Sequence, residues 1–548
     1  MPATEAETVR AATLAYLPLT ASRILAIGQQ AASERPYRAR NPLVDWISVP
    51  GGRETLSQAN VTAGLWGSID ATRQEVPFDA VTLGDLNTFA DPGDLLASAL
   101  ERSAPGAVCL AYVPNPAHWP RIERLIRGQD TDANETPPVL TLSAALTLFE
   151  KAGWHVLDSK AVSRRPAEGT ALQHLLQATA ALGIGADDAR ARLEPMGWVV
   201  RATRSPPPST IALAAIGLKN FAGVTDARID HPWTALTSLP GVRAAWGENT
   251  VVLPKGPPGV LTLHRQFMDG SELIQAVDRL IGSGWTIVSD MDDDPHHWPA
   301  FVESDFRAYR AVHAVTVTTE TLADMIRQWN PNVRVFPNAI LALPDAPAST
   351  PKTGNRLRLF FGALNRIDDW TPVMPGIREA FERLGDRIEI DVVHDRAFAE
   401  ALPRGSRIRF RPTLSHPDYM SVLAGCDISL LPLADTAFNR LKSDIKLIES
   451  CAAGAVPICS PVVYDEIDRH GEVAIFAGTA DEWQDAIIDL CANSDKVRQR
   501  RERGRDYVLS TRMHAQQAPE REAWSRSIMA NRADLERQRV ERLGAINT

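Results

Sequence analysis

The sequence predicts an α/β protein built from three doubly wound units with mainly parallel sheets. Short apolar runs typical of buried strands alternate with longer segments of helical periodicity along most of the chain. Two proline-rich stretches, 204–210 and 341–356, interrupt this alternation, and proline suits neither a helix interior nor a central strand. At 548 residues the chain is also too long for one hydrophobic core. We therefore predict domains over residues 1–203, 210–340 and 356–548.

The composition is that of an ordinary soluble globular protein, with 44% hydrophobic and 23% charged residues. No apolar run reaches the length of a membrane span, and the N-terminal residues lack the pattern of a secretory signal. A net charge of -9 argues against non-specific binding of nucleic acid. The five cysteines are scattered without metal-binding spacing, which predicts buried thiols in a reducing cytoplasm.

The first predicted domain contains six apolar runs separated by helical segments. Strands that alternate with helices favour a doubly wound domain with a largely parallel sheet. The runs are SRILAIG, WISVPGG, PFDAVTLGDL, GAVCLAYVP, GWHVLDSKAV and GWVVRATR.

Three stretches of this domain, SRILAIGQQ, FDAVTLGDLNTFADPGDLL and VPNPAHWPRIERLIRG, resemble strand regions of class I S-adenosylmethionine-dependent methyltransferases. Such a site needs a glycine-rich loop after the first strand and a carboxylate after the second. Here Gln29–Ala32 follows Gly28, the second strand ends in Val49–Gly52, and Asn87–Thr88 replaces the acidic-histidine pair that often follows the fourth strand. We therefore predict a degenerate scaffold that does not methylate. Gly28 and Asp85 are the residues to test for a working S-adenosylmethionine site.

The second predicted domain again alternates strands and helices. The strands are expected in TIALAAIGL, GVLTLHRQFMDG, WTIVSDMDDD, HAVTVTT and VRVFPNAI, and Thr319 is expected to cap the helix after the fourth of them. This succession, with Pro337–Asn338 at its end, resembles the N-terminal half of GT-B glycosyltransferases.

A dense acidic cluster, formed by Asp290 and Asp292–Asp294, follows the predicted strand WTIVSD. Ligands of open α/β sheets bind at this edge. The cluster suits a general base or charge stabiliser beside the acceptor, a metal site, or a solvated turn that caps the next helix. His264 ends a neighbouring strand. We select Asp292, Asp293 and His264 as catalytic candidates and assign no residue to a metal.

The stretch from Phe438 to Pro461 combines a helix start, a charged stripe and a following buried strand. Ser443 is a favourable N-cap residue and Gly454 is suited to the left-handed position that ends a helix, which together predict a helix over 444–453. Helical spacing separates an apolar face, expected to pack, from a charged face that is free to bind a ligand. The charged face carries Lys442, Lys446 and Glu449.

This charged face suits a nucleoside diphosphate. The helix N-terminus and a lysine on each of its first turns attract an anion, and a carboxylate further along can accept hydrogen bonds from a ribose diol. The alternative is a surface helix with a Lys446–Glu449 ion pair.

The same stretch resembles the donor-nucleotide segment of GT-B glycosyltransferases, especially the retaining, family-4-like group. The resemblance implies that Lys442 contacts the diphosphate and Glu449 the ribose. Leu441 stands where that group carries an earlier glutamate, so retention of configuration stays open.

The strand LRLFFG ends at Gly362 and leads into a loop with Arg366, Asp368 and Asp369. The resemblance implies that Gly362 lets the backbone approach the donor and that a basic residue of this loop meets the phosphates. Arg366 is the candidate, because its planar fork suits phosphate oxygens. A surface ion pair of Arg366 with either aspartate is the alternative.

The function implied is transfer of a sugar from a nucleotide-sugar donor to a carbohydrate or lipid-linked acceptor, in assembly of a bacterial surface polysaccharide. We expect a cytoplasmic enzyme, peripheral to the inner membrane, that needs no cofactor and closes about the 341–356 linker. Two alternatives are a bifunctional methyltransferase and glycosyltransferase, and an inactive scaffold that binds nucleotide or carbohydrate.

Overall fold

The computed structural model describes residues 4–28, 32–49, 76–129, 140–163, 170–207, 209–218, 223–268, 270–344, 356–464 and 473–544. The chain forms two compact units. Unit 1 comprises Met1–Thr210 with Thr237–Gly241, and unit 2 comprises Ile211–Leu236 with Val242–Thr548. The predicted loop residues 29–31, the end of the second predicted strand at 50–52 and residues 345–355 of the predicted hinge lie outside the described residues.

Unit 1 contains one six-stranded sheet, and each strand contains one of the six predicted apolar runs or overlaps with it. Its first four strands pair in parallel, and the last strand lies antiparallel between the fourth and the fifth. The predicted fold class is confirmed. The strands are β1 (Arg23–Ile27), β2 (Asp45–Val49), β3 (Phe78–Asp85), β4 (Ser103–Pro114), β5 (His155–Val162) and β6 (Gly197–Thr203).

Helices cover the sheet of unit 1 and bury its apolar strands, which is why these strands read as nearly continuous hydrophobic runs. Trp154 anchors this core, where it is buried beside Phe149 and donates from Nε1 to the carbonyl of Leu96 at 2.9 Å. The helices are α1 (Glu5–Tyr16), α2 (Glu34–Arg40), α3 (Pro92–Glu101), α4 (Trp119–Ile126), α5 (Leu142–Lys151), α6 (Thr170–Ala181) and α7 (Ala186–Leu193).

The first half of unit 2, residues 211–236 and 242–340, contains a six-stranded parallel sheet in the order β12-β11-β10-β9-β7-β8. The sequence predicted every strand of it except β8, a half-buried edge strand whose arginine and alanines make no apolar run. The strands are β7 (Ile211–Gly217), β8 (Val242–Glu248), β9 (Val260–His264), β10 (Thr286–Met291), β11 (Ala314–Val317) and β12 (Val333–Val335).

A π-helical turn, Asp226–Asp230, follows β7 and runs directly into the next helix. The sequence analysis did not predict this turn. Thr319 caps the helix after β11 as predicted, because its side chain accepts from the backbone N–H of Leu322 at 3.2 Å. The helices of this half are α8 (His231–Thr237), α9 (Ser271–Gly282), α10 (Pro299–Glu303), α11 (Arg307–Arg310) and α12 (Glu320–Ile326).

The second half of unit 2, residues 356–544, contains another parallel sheet in the order β15-β14-β13-β16-β17-β18. Its strands are β13 (Leu357–Gly362), β14 (Ile388–Val393), β15 (Ile408–Arg411), β16 (Ile428–Leu431), β17 (Val456–Cys459) and β18 (Ile475–Phe476). Its helices are α13 (Ile367–Trp370), α14 (Met374–Leu384), α15 (Arg396–Ala401), α16 (His416–Ala424), α17 (Ile445–Ala453), α18 (Ala480–Ala492), α19 (Ser494–Thr511), α20 (His514–Ala530) and α21 (Arg532–Gly544).

The two C-terminal helices return to the first half of unit 2. Leu543 packs against the hydrophobic core of that half, and Arg542 donates to the carbonyl of Val312 at 2.7 Å. Arg521 lies over the ring of Phe336 at 4.3 Å. Within the described ranges, no helix combines the length and apolar character that a membrane crossing requires.

Candidate functional site

Helix α17 begins at Ile445, one residue later than predicted, and its N-cap is Asp444. The prediction that Ser443 caps the helix is wrong, because tertiary partners take both polar side chains. Ser443 accepts from the side-chain amide of Asn338 at 2.8 Å, and the Asp444 carboxylate pairs with Arg512 at 2.7 Å. Neither side chain caps the helix, so its first N–H groups lack a side-chain partner. The C-terminal end is as predicted, since Gly454 adopts φ +77°.

Two cations converge beside this helix start. Lys442 Nζ lies 3.3 Å from Asp293 Oδ1, and Arg366 Nη1 lies 2.8 Å from Asp369 Oδ2 and 3.3 Å from Asn439 Oδ1. Burial lowers the pKa of Lys442, and the nearby Arg366 guanidinium lowers it further against the opposing effect of Asp293. Each cation therefore has one carboxylate partner.

The alternative pairing of Arg366 with Asp369 is confirmed, although the pair does not lie on the surface. Asp369 is buried and also accepts from the backbone N–H of Ala434 at 3.0 Å and from Asn439 at 2.7 Å. This aspartate therefore fixes the loop that carries Arg366. The predicted phosphate contact of Arg366 stays a prediction.

Glu449 lies one turn into α17 and is only 4% exposed, so the expectation of a free charged face is wrong at this position. Its carboxylate lies 2.9 Å from His416 Nε2 and 3.4 Å from Lys446 Nζ, which also contacts the Tyr419 hydroxyl at 3.0 Å. The face packs against α16, which supplies the histidine and the tyrosine. Burial alone would raise the pKa of Glu449, but Lys446 and His416 lower it to about 2. The residue is therefore a fixed, ionised acceptor.

Asp290 is the centre of a buried network at the C-terminal edge of β10. Arg228 contacts it through Nε at 3.0 Å and Nη2 at 2.6 Å, and His264 Nδ1 lies 2.9 Å away. Thr316 donates to the same carboxylate at 2.6 Å. His264 is 1% exposed, so the structure places this catalytic candidate in the interior, in contact with Asp290.

The other aspartates of the cluster have separate partners. Asp292 accepts from Arg265 Nε at 2.6 Å, and Asp293 faces Lys442. Asp294 accepts from the backbone N–H of His296 at 2.9 Å and caps a short turn, so the capping alternative is confirmed for this residue. The cluster as a whole is not a solvated turn. Arg228, Arg265 and Lys442 pair with Asp290, Asp292 and Asp293, respectively.

Leu441 is 5% exposed and belongs to the hydrophobic core of the first half of unit 2, with Ile326 and Trp329. Its side chain therefore contributes to packing at the position where the glycosyltransferase group that this segment resembles carries a glutamate. The carboxylate that approaches Lys442 instead is Asp293, from the opposite half.

Gly362 ends β13 in a space that two aromatic rings restrict. A Cβ atom at this position would lie 2.6 Å from both Phe360 Cζ and Tyr419 Cε2. We expect Gly362→Ala to destabilise unit 2 by about 1–3 kcal/mol, because one ring must move. The denaturant midpoint measures this loss. Gly282→Ala is the control, since an added Cβ there meets no atom within 4 Å, and equal stability of the two variants would contradict the prediction.

Sequence reasoning missed Arg228, His416, Tyr419 and Asn338 as parts of this site. Arg228 pairs with Asp290 across 62 positions, and no local pattern marks such a partner. His416 had a weak signal, because it opens α16 directly after the N-cap Ser415.

In unit 1 the structure describes two of the predicted cofactor-site residues. Gly28 ends β1 with φ +85°, and its N–H donates to the carbonyl of Val49 at 3.1 Å. Asp85 accepts from the backbone N–H of Asn87 at 2.8 Å, and burial raises the pKa of Asp85. Both roles stay predictions, as does the methyltransferase resemblance of this unit.

No family model matches the chain, and no curated protein matches it. Similar solved structures include HepE from Anabaena in complex with UDP and glucose, with a TM-score of 0.42 and 13% identity over 57% of this chain and 99% of that one. Another is WaaG, a glycosyltransferase involved in lipopolysaccharide biosynthesis, with a TM-score of 0.40 and 14% identity over 57% and 98% of the two chains. A glycosyltransferase from Rickettsia africae ESF-5 has a TM-score of 0.43 and 11% identity over 59% and 100%. Likeness at this distance carries no argument about activity.

Proposed function

We propose that this chain is a glycosyltransferase that transfers a sugar from a nucleotide-sugar donor. The observation that carries the proposal is the order of groups along α17. Lys442 and Arg366 converge beside a helix start that no side chain caps, and the ionised Glu449 follows about 6 Å further along the helix axis. A nucleoside diphosphate presents its phosphates and its ribose diol in the same order.

The diphosphate would bind at the helix start, where free N–H groups and the helix dipole favour an anion. Lys442 and Arg366 would add charge-assisted hydrogen bonds. Asp293 and Asp369 hold these two cations in place, which reduces the ordering that donor binding requires. During transfer, negative charge grows on the leaving diphosphate, and cations already in position stabilise it.

The ribose diol would bind Glu449. One carboxylate oxygen faces His416 and the other faces Lys446. An ionised carboxylate has about four acceptor positions, so these two contacts leave capacity for ribose hydroxyls. His416 and Lys446 then position the acceptor group and keep it charged.

The acceptor would lie on the side of Asp292 and Asp293, at the C-terminal edge of β10. His264, buried behind them, would act on this edge through Asp290. We propose a carbohydrate or lipid-linked acceptor in surface polysaccharide assembly, and cytoplasmic action peripheral to the inner membrane without a cofactor. Leu441 leaves retention or inversion of configuration open.

The proposal is tested by calorimetric titration of the wild-type chain with UDP, GDP, ADP, CDP and dTDP, and separately with S-adenosylmethionine. We expect one diphosphate to bind, and the matching nucleotide sugar to be hydrolysed or transferred. Binding of S-adenosylmethionine with no diphosphate would overturn the proposal and place the chemistry in unit 1. Binding of a diphosphate without turnover of any of its sugars would instead favour a nucleotide-binding scaffold.

A further inference from the structure

Three potential metal ligands meet in unit 2, and one of them, His416, also contacts the Glu449 carboxylate assigned above to the ribose. Asp226, His231 and His416 each offer a ligand atom, and these atoms all lie within 4.8 Å of one another. The first two residues belong to the first half of unit 2, and His416 opens α16 in the second half.

The local backbone explains why Asp226 and His231 lie together. The π-helical turn 226–230 brings the N–H of His231 to the carbonyl of Asp226, so residues five positions apart share a face. Such turns are rare and occur frequently at functional sites. The ring of His231 then lies 5.3 Å from the ring of His416, measured between centroids.

Two imidazoles and a carboxylate form a ligand set for a divalent transition metal such as Zn²⁺. His416 also has the outer contact typical of a metal-binding histidine, since its Nε2 lies 2.9 Å from Glu449 Oε1. A proton on Nε2 leaves the lone pair of Nδ1 for a metal ion.

A second observation independently points to a ligand here. His514 is 1% exposed, its ring lies 6.2 Å from the ring of His231, and within the described part of the chain neither ring nitrogen has a hydrogen-bond partner. Buried polar groups without partners are rare and call for an explanation.

We propose that Asp226, His231 and His416 bind one divalent transition-metal ion that links the two halves of unit 2, with His514 beside it. The ion would fix the His416 ring, and through it Glu449. This inference does not rest on the proposed function, because metal binding is measured without nucleotide.

The test uses the full chain purified without a polyhistidine tag, stripped with EDTA and dialysed against Zn²⁺ or Co²⁺. We expect one ion per chain by mass spectrometry, and visible Co²⁺ absorption from nitrogen and oxygen ligands. Asp226→Asn and His231→Gln are expected to weaken the affinity by about 100-fold or more, since loss of an outer partner alone costs about 10- to 100-fold. His296→Gln is the matched control, because His296 also lies 2.9 Å from a carboxylate, on Asp294.

Two results would overturn the inference. One is a wild-type chain that binds neither ion stoichiometrically, which would make the cluster a metal-free contact of protonated His416 with Asp226 and Glu449. The other is unchanged affinity in both variants. Folding is checked by thermal unfolding in EDTA, where the isosteric Asp226→Asn variant should have the same melting temperature as the wild type. Addition of Zn²⁺ should raise the melting temperature of the wild type only. A chain that binds metal but no nucleotide would refute the proposed function alone.

Discussion

Replacing Asp290 by asparagine is expected to lower the free energy of unfolding of unit 2 by about 3–5 kcal/mol. The substitution keeps the shape of the side chain and removes its charge. Arg228 is 1% exposed and has its two shortest ionic contacts with Asp290. Its remaining hydrogen bonds go to the carbonyl of Phe336 and to Asn338 Oδ1. Neutral groups do not compensate a buried guanidinium, so the charge would remain unpaired.

An exposed ion pair of the same half provides the matched control. Arg310 lies 3.5 Å from Asp305, whose side chain is 59% exposed. We expect Asp305→Asn to cost less than about 1 kcal/mol, because water screens such a pair. Calorimetric unfolding separates the transitions of the two units, which need not unfold as one. Equal losses in the two variants would show that the Asp290 pair does not hold the sheet edge.

The pH dependence of the free energy of unfolding provides a second test of the Asp290→Asn prediction. Burial alone would raise the pKa of Asp290, but Arg228 and His264 hold it well below its ordinary range. A carboxyl whose pKa is lowered on folding stabilises the folded state above its unfolded pKa, about 3.9, and this stabilisation is lost as the pH falls further. The difference between wild type and Asp290→Asn should therefore be constant from about pH 5 to 8 and shrink below about pH 4.

The strands of this protein could be predicted because their signal is local. A parallel strand covered on both faces has a continuous apolar sequence, so β1, β9 and β13 can be recognised from the sequence alone. The edge strand β8 is half-buried and mixes arginine with alanine, so its pattern carries no such signal.

Only those site residues that lie within one continuous segment of the sequence could be predicted. The structure places Glu449 on α17 and Gly454 at its end, as the helical pattern predicted. Lys442, predicted on the same helical face, lies instead in extended backbone two residues before the N-cap. The prediction of Ser443 as the N-cap failed because Ser443 has a tertiary partner, Asn338, which is 105 positions away in the sequence. Arg228 is a still clearer case, since only the fold brings it to Asp290.

Lys442→Ala is expected to weaken binding of the cognate nucleoside diphosphate by about 10- to 100-fold, because a hydrogen bond to a charged group contributes about 1.5–3 kcal/mol. The effect on turnover should be larger, about 100- to 1000-fold, since charge on the leaving diphosphate grows in the transition state. Lys496→Ala is the control, because Lys496 pairs with Asp489 on the surface of the same half. Adding Asp293→Asn removes the carboxylate that Lys442→Ala leaves without its lysine. If the double variant regains binding, the single loss came from that carboxylate and not from a missing phosphate contact.

Glu449→Gln separates the ribose contact from the phosphate contact. The amide keeps the shape of the carboxylate and loses its charge, so we expect nucleoside diphosphate binding to weaken by about 10-fold or more. Inorganic pyrophosphate carries no ribose, so its affinity should fall in Lys442→Ala and stay near the wild-type value in Glu449→Gln. Parallel loss of both ligands in both variants would mean that Glu449 acts on the phosphates through Lys446, 3.4 Å away, and the ribose assignment would be wrong. Selective loss would place the nucleoside along α17 in the order that the charges predict.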